Sequence, residues 1–201
     1  MTRRRNVMLA LLLLSVFTAT AQVAKPVDHN EVAAEGNADA GAPAWSITTH
    51  APSGWTADCC KYAGAIGVNF VIYQGDWSGN PERVMVLNVW PRKLPSLAAE
   101  WQADQANYLK KDPKAQVSAF PLSPKAMACH GLHYQGSDGL DDVVVFCDPG
   151  KAAGNRFSWS MTVAAKDPKR AEVIALFRQV VDASRYANPP PVSKPGGKPA
   201  H

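Results

Sequence analysis

Apolar positions change their period along the chain, and the changes mark out its elements. "VNFVIYQ" (Val68–Gln74) and "RVMVLNVW" (Arg83–Trp90) are rich in β-branched and aromatic residues. "GDWSGNPE" lies between them and is turn chemistry, so the pair predicts a hairpin. In "SLAAEWQADQANYLKKDP" the spacing becomes helical, with Leu97, Trp101, Tyr108 and Leu109 on one side. Ser96 is the expected N-cap, because its hydroxyl can accept from an amide left unpaired in the first turn. Pro113 disfavours helical geometry at Asp112 and ends that helix. "QVSAFPL" predicts a short strand. "ACHGLHYQ" and "VVVFC" flank "GSDGLD" and predict a second hairpin turning about Asp138. "RFSWSMTVAAK" alternates strictly, which puts Phe157, Trp159, Met161 and Val163 on one buried face. "DPKRAEVIALFRQVVDASRYA" is the strongest helical pattern. Asp167 is its expected cap, Pro168 its first residue, and Val173, Ile174, Phe177, Val180 and Val181 its apolar face.

Antiparallel strand pairs with helices between and after them predict an α+β fold, a central antiparallel sheet with helices packed on it. The ends read differently. Three arginines followed by "VMLALLLLSVF" and "TATAQVA" have the parts of a secretory signal peptide, residues 1–21, cut after Ala21 or alternatively after Ala24. The apolar run is shorter than the roughly 20 residues that span a bilayer. Residues 22–43 are rich in Ala, Gly, Asn, Asp and Glu without apolar periodicity, and read as a disordered spacer. Residues 188–201, "NPPPVSKPGGKPAH", read as a disordered Pro/Gly/Lys tail. Residues 44–187 are then a single domain, long enough for a real core.

The signal peptide changes the charge picture. The whole chain carries 21 basic and 17 acidic residues, but residues 1–21 hold three of the arginines and no acid. The mature chain keeps 18 basic against 17 acidic residues, a net of +1. No basic stripe marks a nucleic-acid or membrane surface. The expected location is periplasmic or secreted.

Pro52, Gly54 and Trp55 in "P-x-GW", a following strand pair, a helix opening "SL" at Ser96, the strand "GLHYQG" (Gly131–Gly136), the alternating strand and a last helix together resemble the PsbP-like superfamily, which includes DcrB-type bacterial envelope proteins. The resemblance covers nearly all of residues 47–187. It implies a central antiparallel sheet with helices on both sides, and roles in binding or assembly rather than catalysis. The four cysteines lie outside the general family pattern.

In an oxidising compartment Cys59, Cys60, Cys129 and Cys147 are best read as disulfides. A hairpin turning about Asp138 sets Cys129 opposite Cys147, which suits a cross-strand bond and leaves Cys59 to Cys60. The competing arrangement ties Cys59 and Cys60 to Cys129 and Cys147, one bond each, and clamps the first segment onto the hairpin. The clamp is the expectation, because a bond between adjacent cysteines needs a distorted peptide. "CHGLH" adds His130 and His133 to the thiols, a set suited to copper(I) or zinc. On a strand, however, those histidines face opposite sides, so no metal is expected. The acid-dense "GSDGLDD" lacks the ligand spacing and terminal Glu of a calcium loop and reads as a solvated turn.

No nucleophile elbow, phosphate loop or dinucleotide motif is present in the sequence. The expectation is a non-enzymatic binding or accessory module without a cofactor. Its partner would be another envelope or secreted protein, met in an immunity- or chaperone-like manner. Trp77 in a polar loop, and Trp90 and Arg92 in the "WPRKLP" corner, are the candidate contact residues. The alternative is a thiol-redox or metal-handling envelope protein using the four cysteines.

Overall fold

A computed structural model describes residues 29–38, 42–77 and 81–189. The predicted signal peptide and the tail beyond Pro189 lie outside the described residues. Seven strands form one antiparallel sheet: β3 (Thr56–Asp58), β4 (Phe70–Gln74), β5 (Arg83–Pro91), β6 (Gln116–Ala119), β7 (Ala128–Gln135), β8 (Leu140–Asp148) and β9 (Asn155–Ala164). Their order across the sheet is β3-β4-β5-β9-β8-β7-β6. A smaller sheet joins β1 (His29–Gly36), β2 (Trp45–Pro52) and β10 (Arg185–Ala187) in the order β1-β2-β10. Three helices accompany them: α1 (Tyr62–Ala65), α2 (Leu97–Lys111) and α3 (Arg170–Ala183). The fold is α+β, as the sequence pattern implies.

Period two decides which face each strand residue serves. On one face of the large sheet Met85 and Leu87 of β5, Val143 and Val145 of β8, and Phe157, Trp159, Met161 and Val163 of β9 are all buried. They meet Val173, Phe177, Val180 and Val181 of α3, and Trp45, Ile47 and Ala51 of the small sheet, in one core. Phe157 and Trp159 are 0% exposed, as expected from their alternation. The indole of Trp159 donates to Ser184 Oγ at 2.9 Å, which satisfies its one polar atom inside that core. Gly131 of β7 faces Phe120 so closely that a Cβ there would lie 2.8 Å from the Phe120 carbonyl oxygen. Only glycine lets Phe120 close the end of this core.

The opposite face is covered in two separate places. Leu97, Trp101 and Tyr108 of α2 lie over Leu132, Tyr134 and Phe146. Tyr62 and Ala63 of α1, with Trp77, lie over Val71 and Tyr73. Between these two covers the sheet stays open. Ser96 caps α2 as expected, accepting from Ala99 N at 3.1 Å, and the helix stops at Lys111 before Pro113. The last helix begins at Arg170, later than the sequence suggested. Asp167 instead closes a turn, its Oδ1 accepting from Lys169 N at 2.7 Å and its backbone oxygen accepting from Arg170 N.

Three expectations are corrected. Residues 22–43 are not a spacer throughout, because β1 pairs with β2 along all eight residues and Ala34 is buried at 2% exposure. Cysteine pairing follows the alternative and not the clamp: the bonds are Cys129–Cys147 and Cys59–Cys60. Sheet order explains this. Cys59 and Cys60 follow β3 at one edge, four or five strands from β8 and β7. At about 4.8 Å per strand that separation is roughly 20–24 Å, beyond any disulfide. Cys129 and Cys147 are directly opposed, with Cα atoms 4.2 Å apart. Of the acids in "GSDGLDD", Asp138 does lie in an exposed turn, but Asp141 and Asp142 belong to β8 and are committed to the helices. Asp141 is buried and accepts from Arg170 of α3, while Asp142 accepts from Tyr108 of α2 at 2.8 Å. Adjacent strand residues face opposite sides, so this one hairpin fastens a helix to each face.

Candidate binding groove

The open part of the sheet is floored by Val84 and Val86 of β5 and by Ser160 and Thr162 of β9. Its wall is built from α1 and from the loop after β4. Asp58, the last residue of β3, turns the chain into α1: its Oδ1 accepts from Tyr62 N at 2.7 Å and from Ala63 N at 3.1 Å. Burial acts to raise this carboxyl, but those amides outweigh it and hold the group below its ordinary value. Ala63 is fully buried against the sheet, which directs Tyr62 toward the loop. Trp77 then folds back onto Tyr62, ring centroids 4.6 Å apart, and onto Tyr73 at 5.2 Å. Ala65, Ile66, Trp77 and Pro81 rim a groove of about 570 Å³. Ile66 is 49% exposed and stands at its lip.

Polar groups hold the far side in place. Thr162 donates to Asp142, which also accepts from Tyr108, so the groove floor is tied to α2. Tyr134 donates to Asp104 Oδ2 at 2.7 Å and stacks on Tyr108 at 4.1 Å. Burial raises the Asp104 carboxyl above its ordinary value despite the Tyr134 hydrogen bond. Burial and the bond to Asp142 push the Tyr108 phenol well above its ordinary value. At the other end of β5, Arg156 is fully buried. Its Nε donates to Asp148 at 3.0 Å, and its Nη1 donates to Glu100 at 2.8 Å and to Leu94 O at 2.9 Å. Arg92 also pairs with Asp148. Burial works to raise Asp148, but the Gly150 amide and the two guanidiniums outweigh it, so the carboxyl sits below its ordinary value.

These placements sort the candidate residues. Trp77 lines the groove but is half-buried in an aromatic cluster rather than standing free in its loop. Trp90 lies edge-on to Phe146 beneath α2, and Arg92 is committed to Asp148. The three residues therefore do not form one surface. His130 stacks on Trp101 at 4.2 Å, and burial lowers its imidazole. His133 lies on the opposite face, 3.6 Å from Asp141. Among the described residues, no three His, Cys, Asp or Glu side chains converge as a metal site. The floor residues Val84, Val86, Ser160 and Thr162 were not singled out by sequence reasoning. The Ser-x-Ser-x-Thr alternation in β9 marked an outer face, and only the position of α2 shows which part of that face stays open.

No family model matches the chain, and neither does any curated protein sequence. Solved structures are similar to it. The solution structure of cyanobacterial PsbP (CyanoP) from Synechocystis sp. PCC 6803 is 13% identical, with 84% of this chain and 98% of that one covered and a TM-score of 0.48. The Ran-binding protein Mog1p of Saccharomyces cerevisiae is 11% identical, with 79% and 95% covered and a TM-score of 0.48.

Proposed function

We propose that this is an exported, non-enzymatic accessory module of the cell envelope, working by protein–protein contact through the groove beside Trp77. The observation that carries the reading is the incomplete covering of the sheet: two separate covers leave a concavity floored by two valines and two hydroxyl side chains, with an exposed Ile66 at its lip. Anchoring of an apolar side chain in such a recess is a common source of interface energy. The adjoining surface carries Lys166, Lys169 and the Arg83–Asp167 pair beside Glu82. That balance suits a partner segment bearing an apolar or aromatic side chain flanked by carboxylates. The contact is immunity- or chaperone-like, blocking or escorting a secreted protein. Several ionisable groups with shifted protonation are committed to holding the fold, which supports binding over turnover. Asp104, Tyr108, Tyr134, Asp148 and Arg156 are engaged in fastening α2 and its approach loop to the sheet.

Site-specific photo-crosslinking from Ile66, in cells that export the protein, is the test, with a control site on the outer face of α3. The expected result is a partner captured from Ile66 alone. Binding of that partner should then weaken by about fivefold or more in Trp77→Ala, roughly 1 kcal/mol. Ile66→Glu should weaken binding similarly without loss of stability, since that side chain is exposed. Equal capture from both sites, or unchanged affinity in Ile66→Glu, refutes the docking face.

A further inference from the structure

We propose that the Cys59–Cys60 cystine is a thiol-exchange site, opened by an external dithiol while Cys129–Cys147 stays closed, and that its opening loosens the α1 corner that walls the groove. The two disulfides differ in access and in the backbone that holds them. Attack requires a thiolate to reach a disulfide sulfur, so access controls the rate. Cys59 and Cys60 are both exposed in the turn between β3 and α1, whereas Cys129 is half-buried and Cys147 is 1% exposed inside the main core. The backbone around each bond differs as well. Cys129 and Cys147 sit within eight paired positions of β7 and β8, so the hairpin keeps their sulfurs opposed even when reduced, and the bond re-forms at once. Cys59 and Cys60 are adjacent, follow β3 directly and belong to no ladder, so once opened they can turn apart.

This turn also holds the corner. The Asp58 carboxylate reaches across both cysteines to the amides of Tyr62 and Ala63. The four-residue helix that follows has few bonds of its own: Ala65 N donates to Lys61 O, Ile66 N to Tyr62 O, Gly67 N to Gly64 O and Val68 N to Ala63 O. Tyr62 is the surface on which Trp77 rests. The cystine locks the Cys59–Cys60 step within the short stretch that the Asp58 carboxylate spans, so opening it frees part of the chain between the cap and the helix it caps.

The reaction balances with a dithiol as reductant. One of its thiolates attacks Sγ of Cys59 or Cys60, the protein S–S bond breaks, and the electron pair goes to the departing sulfur, which takes a proton. The second thiolate of the reductant then attacks the mixed disulfide and releases the other cysteine as a thiol. Two electrons and two protons reach the protein, and the reductant leaves as a cyclic disulfide. Exchange itself does not depend on the docking reading; only its consequence for partner binding does.

Graded dithiothreitol treatment of the folded, oxidised protein, followed by alkylation and peptide mass spectrometry, is the test. Cys59 and Cys60 should be alkylated at reductant levels about tenfold or more below those that open Cys129–Cys147. Hydrogen exchange at Ala65, Ile66 and Val68 should then quicken by about fivefold or more, while Trp159 and Met161 stay protected. The double variant Cys59→Ser, Cys60→Ser should show the same faster exchange without reductant. Simultaneous opening of both cystines, opening of Cys129–Cys147 first, or unchanged exchange at Ala65–Val68 in the reduced protein and in the double variant overturns the proposal. Each of these readouts is independent of any partner, so a failed docking test leaves them standing.

Discussion

Arg156 offers the sharpest test of how this domain holds α2. Its guanidinium is 0% exposed and bridges Asp148 on β8, Glu100 on α2 and the Leu94 carbonyl in the loop before it. Replacement by methionine keeps most of the volume and removes the charge. Asp148 retains Arg92 as a partner, but Glu100, whose side chain is only 12% exposed, loses its cation. Stranding a buried carboxylate in this way costs about 3–5 kcal/mol. A domain of this size has roughly 5–15 kcal/mol in all, so the loss is a large share of it. The melting temperature should fall by about 6–20 °C, at 2–4 °C per kcal/mol. Urea titration followed by tryptophan fluorescence measures the loss directly. Adding Glu100→Gln to Arg156→Met should restore part of it, because the stranded charge is gone. The acid limb carries a second signature. Asp148 is held below its ordinary value in the fold, so its contribution is present above the unfolded value near pH 4 and is lost as pH falls through the folded value. Removing Arg156 raises that folded value and makes the acid limb shallower. A loss under about 1 kcal/mol, or no relief from Glu100→Gln, would show that the bridge is not what fastens the helix.

Cys129→Ser with Cys147→Ser should cost about 3 kcal/mol in urea titration, from an 18-residue separation in the chain-entropy account, while Cys59→Ser with Cys60→Ser costs far less because no chain loop is closed. Deleting residues 22–43 should lower the melting temperature by several degrees, since β1 and the buried Ala34 leave with them; an unchanged melt would deny β1 its place in the small sheet. Asp104→Asn should raise stability at pH 7, with the advantage vanishing below about pH 4. The folded carboxyl is raised by burial, so the native protein loses stability as pH climbs through that value, and the amide still accepts from Tyr134. A uniform loss at every pH would refute that sign.

Local chemistry was enough to determine much of this protein. Period-two alternation placed Phe157, Trp159, Met161 and Val163 on one buried face, and turn residues about Asp138 set the register that opposes Cys129 and Cys147. Ser96 and Pro113 bounded α2 because caps and breakers act within a few residues. Trp45, Ile47 and Thr49 also alternate with Ser46, Thr48 and His50, a legible strand signal that sequence reasoning passed over. β1 is different. Its "HNEVAAEG" has little intrinsic strand preference, and it pairs because β2 presents an edge to it. The cysteine partners, the inward commitment of Trp90 and Arg92, and the open groove beside Trp77 depend on which strands become neighbours and where helices land. Those are contacts between residues far apart in sequence, and no local pattern encodes them. The hairpin acids Asp141 and Asp142 make the point most plainly: side by side in the chain, they serve opposite faces of the sheet, and only the packed helices gave each its role.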